Sequence, residues 1–215
     1  MRVGGGGDLS LPSLFTQKHA LFRQKILLLV LLSALFTLYR TGNRHEGTSV
    51  NIGLLHNMMG DGEAALAAMN NNPAGAFADE VRPMALIQAA WAKMCLGKTA
   101  DARANLTEAT QLIYNTHDEV RLGLVYLVEG LLEKSQGELM NARLELEKAA
   151  DIFTRYSSLA FLSVTLLELI DIEIERFHYA QLGGQENLSG PFHDLVGRVR
   201  FLLDESPPPR YLAHG

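Results

Sequence analysis

The stretch Gly60-Asp61-Gly62-Glu63-Ala64-Ala65 decides the fold, because it has two counterparts further along the chain. The second copy is Gly97-Lys98-Thr99-Ala100-Asp101-Ala102, and the third is Gly137-Glu138-Leu139-Met140-Asn141-Ala142. The leading glycines are 37 and 40 residues apart, a spacing typical of stacked helical hairpins. Each copy indicates that one helix ends, a tight turn follows, and a second helix packs back on the first.

The residues on either side of each turn glycine support three such hairpins. A small residue stands seven positions before the glycine, and a large apolar residue stands nine positions after it. Small residues let two helix axes approach closely, and the large residue fills the space beside them. The three pairs are Gly53 with Met69, Ala90 with Leu106, and Gly130 with Leu146. The sequence therefore predicts an all-α fold, a short α-solenoid of antiparallel helix hairpins with atypical terminal helices.

In its turn glycines and small helix residues, the chain resembles the tetratricopeptide repeat (TPR) family. The residues most similar to a junction between two such repeats are Leu35, Tyr39, Gly42-Asn43-Arg44, Glu46, Asn51-Ile52-Gly53 and Gly60-Asp61. The family's aromatic residue before the small position is present only as Tyr126, and its helix-ending proline is missing from all three copies. These departures make the copies degenerate TPR repeats, or repeats of another helical kind.

The rest of the chain divides around the repeats. Four consecutive glycines near the start lose too much backbone entropy to hold a fixed shape unaided. The stretch Asn70 to Gly75 contains Pro73, and we expect the stack to loosen there. The predicted segments are a flexible Gly-rich tail (1–17), an apolar helix (18–41), the three repeats (42–156), a closing helix pair (157–204, with helices at 159–179 and 191–203) and a Pro-rich tail (205–215).

Residues 26–39 form an apolar run of fourteen residues without a charge, bounded by Lys25 and Arg40. As a helix the run would span roughly 21 Å, short of the ~30 Å hydrocarbon core of a bilayer. One interpretation is a buried helix of a preceding repeat. A second is a membrane anchor, which would need a thinned bilayer. A third is a signal-like segment, although a small-x-small cleavage site first appears only at Gly47-x-Ser49.

Composition and motifs give no sign of catalysis. The net charge of −5 argues against a general nucleic-acid binder, which usually carries a basic face. The seven histidines are scattered, and no metal-binding, nucleophile or cofactor motif is visible, so we expect no enzyme activity, no metal and no cofactor. Cys95 is the single cysteine and is interpreted as a small apolar filler. The acidic run from Glu168 to Glu175 is expected to be a solvated helix face.

The resemblance to TPR proteins implies a binding groove lined by the first helix of each hairpin. Its positions lie thirteen, ten, six and three residues before each turn glycine, and they are mostly apolar here. Trp91 is the expected anchor, because large aromatic side chains in pockets tend to carry binding energy. The alternative is that Trp91 and the neighbouring methionines are core residues or are covered by the closing helices. The candidate groove residues are Asn57, Met84, Ile87, Trp91, Met94, Leu127, Leu131 and Lys134.

These features predict a non-enzymatic scaffold that binds a peptide or helix segment of a protein partner in an apolar groove. Two alternatives stay open. The chain could be a regulatory subunit or fragment of a larger transcription-regulator or multisubunit ligase assembly, or it could be a membrane-tethered assembly factor. We expect a cytoplasmic protein, with membrane anchoring through residues 26–39 as the alternative. Three repeats are close to the minimum for an independent stack, so homo-oligomerisation is a further expectation.

Overall fold

A computed structural model describes residues 45–70, 79–182 and 197, with side chains covered within 49–70 and 79–176. These residues form seven α-helices and no strand, which confirms the predicted all-helical fold class. The helices are α1 (His45–Met58), α2 (Gly62–Asn70), α3 (Arg82–Cys95), α4 (Thr99–Thr116), α5 (Glu119–Ser135), α6 (Leu139–Arg155) and α7 (Leu159–Leu182). Helices α1 with α2, α3 with α4, and α5 with α6 make the three hairpins.

A glycine in the left-handed region ends the first helix of each hairpin. The φ angle is 79° at Gly60, 71° at Gly97 and 82° at Gly137. Residues with a Cβ atom rarely adopt such values. In every turn the glycine amide donates to the carbonyl three residues back, and the next amide donates to the carbonyl five residues back. This pair of hydrogen bonds is the Schellman motif, and it satisfies carbonyls that the helix end leaves free.

The connections between hairpins have a different chemistry. His117, with φ of 53°, follows α4, and Ser157, with φ of 52°, follows α6. Both residues adopt the left-handed region without being glycine, at a cost in backbone strain. The side chain of Asp118 accepts a hydrogen bond from the Arg121 amide and so caps the N-terminus of α5.

Small residues let the two helices of a hairpin approach closely. A Cβ atom added at Gly130 would lie 2.6 Å from Leu146 Cγ and 3.1 Å from the Ala142 carbonyl oxygen. At Gly53 an added Cβ would lie 3.1 Å from Met69 Cγ. The positions seven before and nine after the turn glycine therefore face each other, as the sequence pattern indicates.

The hairpins pack on one another in chain order. The first helices contact each other in sequence, α1 with α3, α3 with α5, and α5 with α7, while α2, α4 and α6 each also pack on the next first helix. One apolar cluster runs through this packing, from Leu54 in α1 to Ile172 in α7. Helix α7 has 24 residues, against 14 to 17 in α1, α3 and α5, so it extends beyond the length of the other first helices.

The predicted loosening after Asn70 is wrong for the helices on either side of it. Helix α2 packs directly on α3, because Gly62 lies against the Ala92 carbonyl. An added Cβ at Gly62 would also lie 3.1 Å from Cys95 Cβ. Residues 71–78 themselves lie outside the described residues.

Several predicted segments also lie outside the described residues. They are the Gly-rich tail (1–17), the apolar helix (18–41), the second closing helix (191–203, apart from residue 197) and the Pro-rich tail (205–215). Among the helices that the structure describes, none combines the length and apolarity needed to cross a bilayer.

Candidate partner-binding face

The structure brings the predicted groove positions of the three hairpins together. Ile87, Trp91, Leu127 and Leu131 belong to one apolar cluster. Met84 and Met94 are half-buried and pack against its edge. The first helices therefore share one continuous face, which we call the A face and define by the eight candidate groove residues.

Most of the A face is already filled by the protein itself. Ile87 and Leu127 are 0% exposed, and Trp91 is 6% exposed. Side chains of α7, including Leu166 and Leu169, belong to the same cluster. Trp91 is thus a core residue in this structure, which agrees with the alternative that the closing helices cover it.

The two ends of the stack meet across the A face. Met58, at the end of α1, packs against Leu167 of α7, which is 6% exposed. Ala160 and Val164 of α7 complete this small cluster. Helices α3 and α5 lie between α1 and α7 in the packing order, so the A face is curved enough for Met58 to contact Leu167.

A buried amide pair joins α1 to α3. The Asn57 side-chain nitrogen donates to the Gln88 backbone carbonyl at 2.8 Å and to the Gln88 side-chain oxygen at 2.9 Å. Both side chains are almost completely buried. Because an unpaired buried amide is costly, this pair holds the two helices in one register. Gln88 was not among the predicted site residues, although a polar residue inside an otherwise apolar helix is a signal for a buried partner.

Lys134 is the charged member of the A face. Its Nζ atom lies 2.7 Å from Glu168 Oε2 and 3.3 Å from Asp171 Oδ2, both on α7. Burial alone would lower the pKa of Lys134, but the carboxylates of Glu168 and then Asp171 raise that pKa above its ordinary value. The side chain therefore stays charged, and the local sum of these three groups is one negative charge.

The expectation of a solvated acidic face on α7 is wrong for most of the run. Glu168 and Asp171 pair with Lys134. Glu173 is 3% exposed, and one of its oxygens lies 2.9 Å from both an Arg143 and an Arg176 nitrogen. Buried carboxylates need such partners: Lys134 and Arg143 come from other helices, and Arg176 lies one turn further along α7.

Cys95 also departs from its expected role, because it is exposed rather than an apolar filler of the core. Partial burial nevertheless raises the pKa of its thiol. Among the side chains described within residues 49–70 and 79–176, no group of three or more His, Cys, Asp or Glu is placed to hold a metal ion.

A cavity of about 430 Å³ lies next to Lys134, between the start of α6 and the second half of α7. Its lining has two basic, two acidic and two large apolar side chains, together with Gly137: Lys134, Arg176, Glu138, Glu175, Leu139 and Met140. Such a balanced lining favours neither an anion nor a cation.

No protein-family model matches this chain, and neither a curated protein nor a solved structure matches it. The geometry alone defines the class to which the described residues belong: an all-helical domain of successive packed hairpins.

Proposed function

We propose that the chain is a non-enzymatic protein-interaction scaffold, a short α-solenoid of TPR-like hairpins that binds a partner segment along the edge of the A face. The observation that carries this proposal is that predicted groove positions of α3 and α5 pack in one apolar cluster, with Met84 and Met94 half-buried at its edge. Repeated hairpins are an economical way to build an extended surface of this kind.

The burial of the A face divides its residues into two roles. Ile87, Trp91 and Leu127 are buried, so they support the surface rather than touch a partner. Met84 and Met94 are half-buried and available at the edge. Methionine side chains are flexible and polarizable, and they adapt to apolar partners of different shape.

The charges next to this edge indicate the chemistry of the partner. Lys134 is already paired with Glu168 and Asp171. A partner carboxylate would have to compete with these two residues for the lysine. An apolar segment without a carboxylate at this point would meet no such competition.

Site-specific crosslinking tests the proposal. A photoreactive phenylalanine analogue is placed at Met94, and a matched control carries it at Leu144, which is 55% exposed on α6. On illumination in cells, we expect discrete protein adducts from position 94 and none of the same mass from position 144. Identical adduct patterns at the two positions would count against a binding surface at the A face.

The protein identified in the adduct is then purified and titrated with the unmodified chain. Met84→Asp should weaken binding by about 1–2 kcal/mol, because it places a desolvated charge in an apolar contact. Leu144→Asp is the control and should leave the affinity unchanged. Equal affinities for the Met84 variant and the unmodified chain would refute the proposed contact.

A further inference from the structure

The first helix of a hairpin has a face that the second helix of the preceding hairpin covers. On α3 this face includes Leu96, and a Cβ added at Gly62 of α2 would lie 3.1 Å from Leu96 Cγ. On α5 it includes Glu133 and Gln136, and Arg103 of α4 donates to their side chains at 2.8 and 3.0 Å. These covered residues lie one or four positions before the turn glycine of their own hairpin.

The same face on α1 is apolar but has no described helix in front of it. Ile52, Leu55 and Met59 lie eight, five and one positions before the turn glycine. Ile52 is 38% exposed and Met59 is 66% exposed. Leu55 is half-buried, whereas its counterparts Ala92 and Leu132 are 0% exposed. The position five before the turn glycine is therefore closed in the second and third hairpins and open in the first.

His56 is a polar residue on this face. It lies four residues before its turn glycine, the position of Glu133 in the third hairpin, and Glu133 accepts a hydrogen bond from Arg103 of the preceding helix. The Nδ1 atom of His56 is buried and has no hydrogen-bond partner among the described residues. An unpaired buried nitrogen costs free energy, so a polar group from another segment is expected next to it.

Residues 26–39 have the length, composition and position to supply the missing helix. The run has fourteen residues, the same number as α1. Five residues separate it from α1, and the links from one hairpin to the next helix have eleven residues between α2 and α3, two between α4 and α5, and three between α6 and α7. Since helices joined by links of two to eleven residues pack on each other here, a link of five residues would allow the run to lie beside α1. In a helix, Ser33 and Thr37 would stand one turn apart and could offer hydroxyl groups to His56.

We propose that residues 26–39 form the second helix of a preceding hairpin and dock on the α1 face made by Ile52, Leu55, His56 and Met59. The proposal concerns contacts within the chain and does not depend on partner binding by the A face. Its consequence is that this apolar run lies against α1 in water instead of entering a bilayer.

Thiol labelling of the full-length chain tests the docking. Cys95→Ser removes the single exposed cysteine, and Ile52→Cys then reports on the α1 face. Met140→Cys is the matched control, because it is also exposed but lies on α6. With each rate normalised to that of the urea-unfolded variant, position 52 should react with a maleimide about tenfold more slowly than position 140. Equal rates would overturn the proposal.

A charge introduced into the run should release the protection. Leu31→Glu is expected to raise the labelling rate at position 52 to that at position 140, because a carboxylate is costly in an apolar contact. Protection that disappears on dilution would assign the face to a second copy of the chain. Protection that appears only with phospholipid vesicles would assign the run to a membrane, and either result would overturn intramolecular docking.

Hydrogen exchange on the unmodified full-length chain provides a readout that needs no variant. If residues 26–39 are docked, their amides should exchange as slowly as those of α1, since both would open together. Rapid exchange throughout 26–39 beside a protected α1 would reject the docked helix.

Discussion

The first and third hairpins share one sequence pattern but differ in how much of the protein surrounds them. In the third hairpin, α6 has 17 residues, and both Gly130 and Leu146 are buried. In the first hairpin, α2 has nine residues, and α1 exposes Ile52 and Met59. The contact between the two helices of a hairpin follows from the local pattern. The burial of their outer faces depends on neighbours that the pattern does not contain.

Truncating the large apolar residue nine positions after the turn glycine should give the largest difference in free energy of unfolding between the third hairpin and the first. Leu146→Ala should lower the free energy of unfolding by about 4 kcal/mol, because Leu146 is fully buried between long helices and leaves a cavity. Met69→Ala should cost about 2 kcal/mol, because Met69 lies near the end of the short α2. Urea unfolding followed by circular dichroism measures both values.

Equal losses for these two truncations would show that the hairpins are equally well packed. Leu144→Ala, on the exposed side of α6, is the control and should change stability by less than about 0.5 kcal/mol.

Adding one methyl group at the small positions sharpens the same comparison. Gly130→Ala should destabilise by about 2 kcal/mol, because the added Cβ would lie 2.6 Å from Leu146 and near a backbone oxygen that cannot move away. Gly53→Ala should be close to neutral. Its Cβ would meet flexible atoms of Met69 at 3.1 Å, and alanine gains about 1 kcal/mol of helix propensity over glycine.

Thermal melting of the two alanine variants decides this prediction. If Gly53→Ala lowers the melting temperature as much as Gly130→Ala does, then α1 and α2 are as rigidly packed as α5 and α6, and the difference between the hairpins is not one of packing.

The smallest expected effect concerns the position eight residues before the turn glycine, which is charged in the third hairpin and apolar in the first. Glu129 in α5 stands where α1 has Ile52. Burial, with a further contribution from Glu145, raises the pKa of the Glu129 carboxyl above its ordinary 4.5. The folded state therefore binds this proton more tightly than the unfolded state does, so stability falls as pH rises from 4.5 through the folded pKa.

Glu129→Gln removes that loss and should stabilise the protein by about 0.5 kcal/mol at pH 7, after allowance for solvent screening. Below pH 4.5 the carboxyl is protonated in both states, so the gain should vanish there. Urea unfolding across this pH range measures the effect. Glu63→Gln, on the exposed side of α2, controls for the loss of one negative charge. A gain that is independent of pH would contradict the assignment to Glu129.

The sequence predicted local features well and long-range partners poorly. The three turns were predicted at Gly60, Gly97 and Gly137, where the structure has them. Such features depend on residues within one turn of helix, so a single sequence contains the information. The partners of Lys134 escaped prediction because Glu168 and Asp171 are more than thirty residues away, and only the packing of α7 on α5 brings them together.

The sequence by itself determined that the chain forms helical hairpins, where each one turns, and which small and large residues meet inside it. The reason is that glycine turns and helix periodicity act over a few residues. Only the tertiary structure decided that the A face is filled. Its ends meet at Met58 and Leu167, and Trp91 becomes core, because the curvature of the stack sums small rotations at every helix contact.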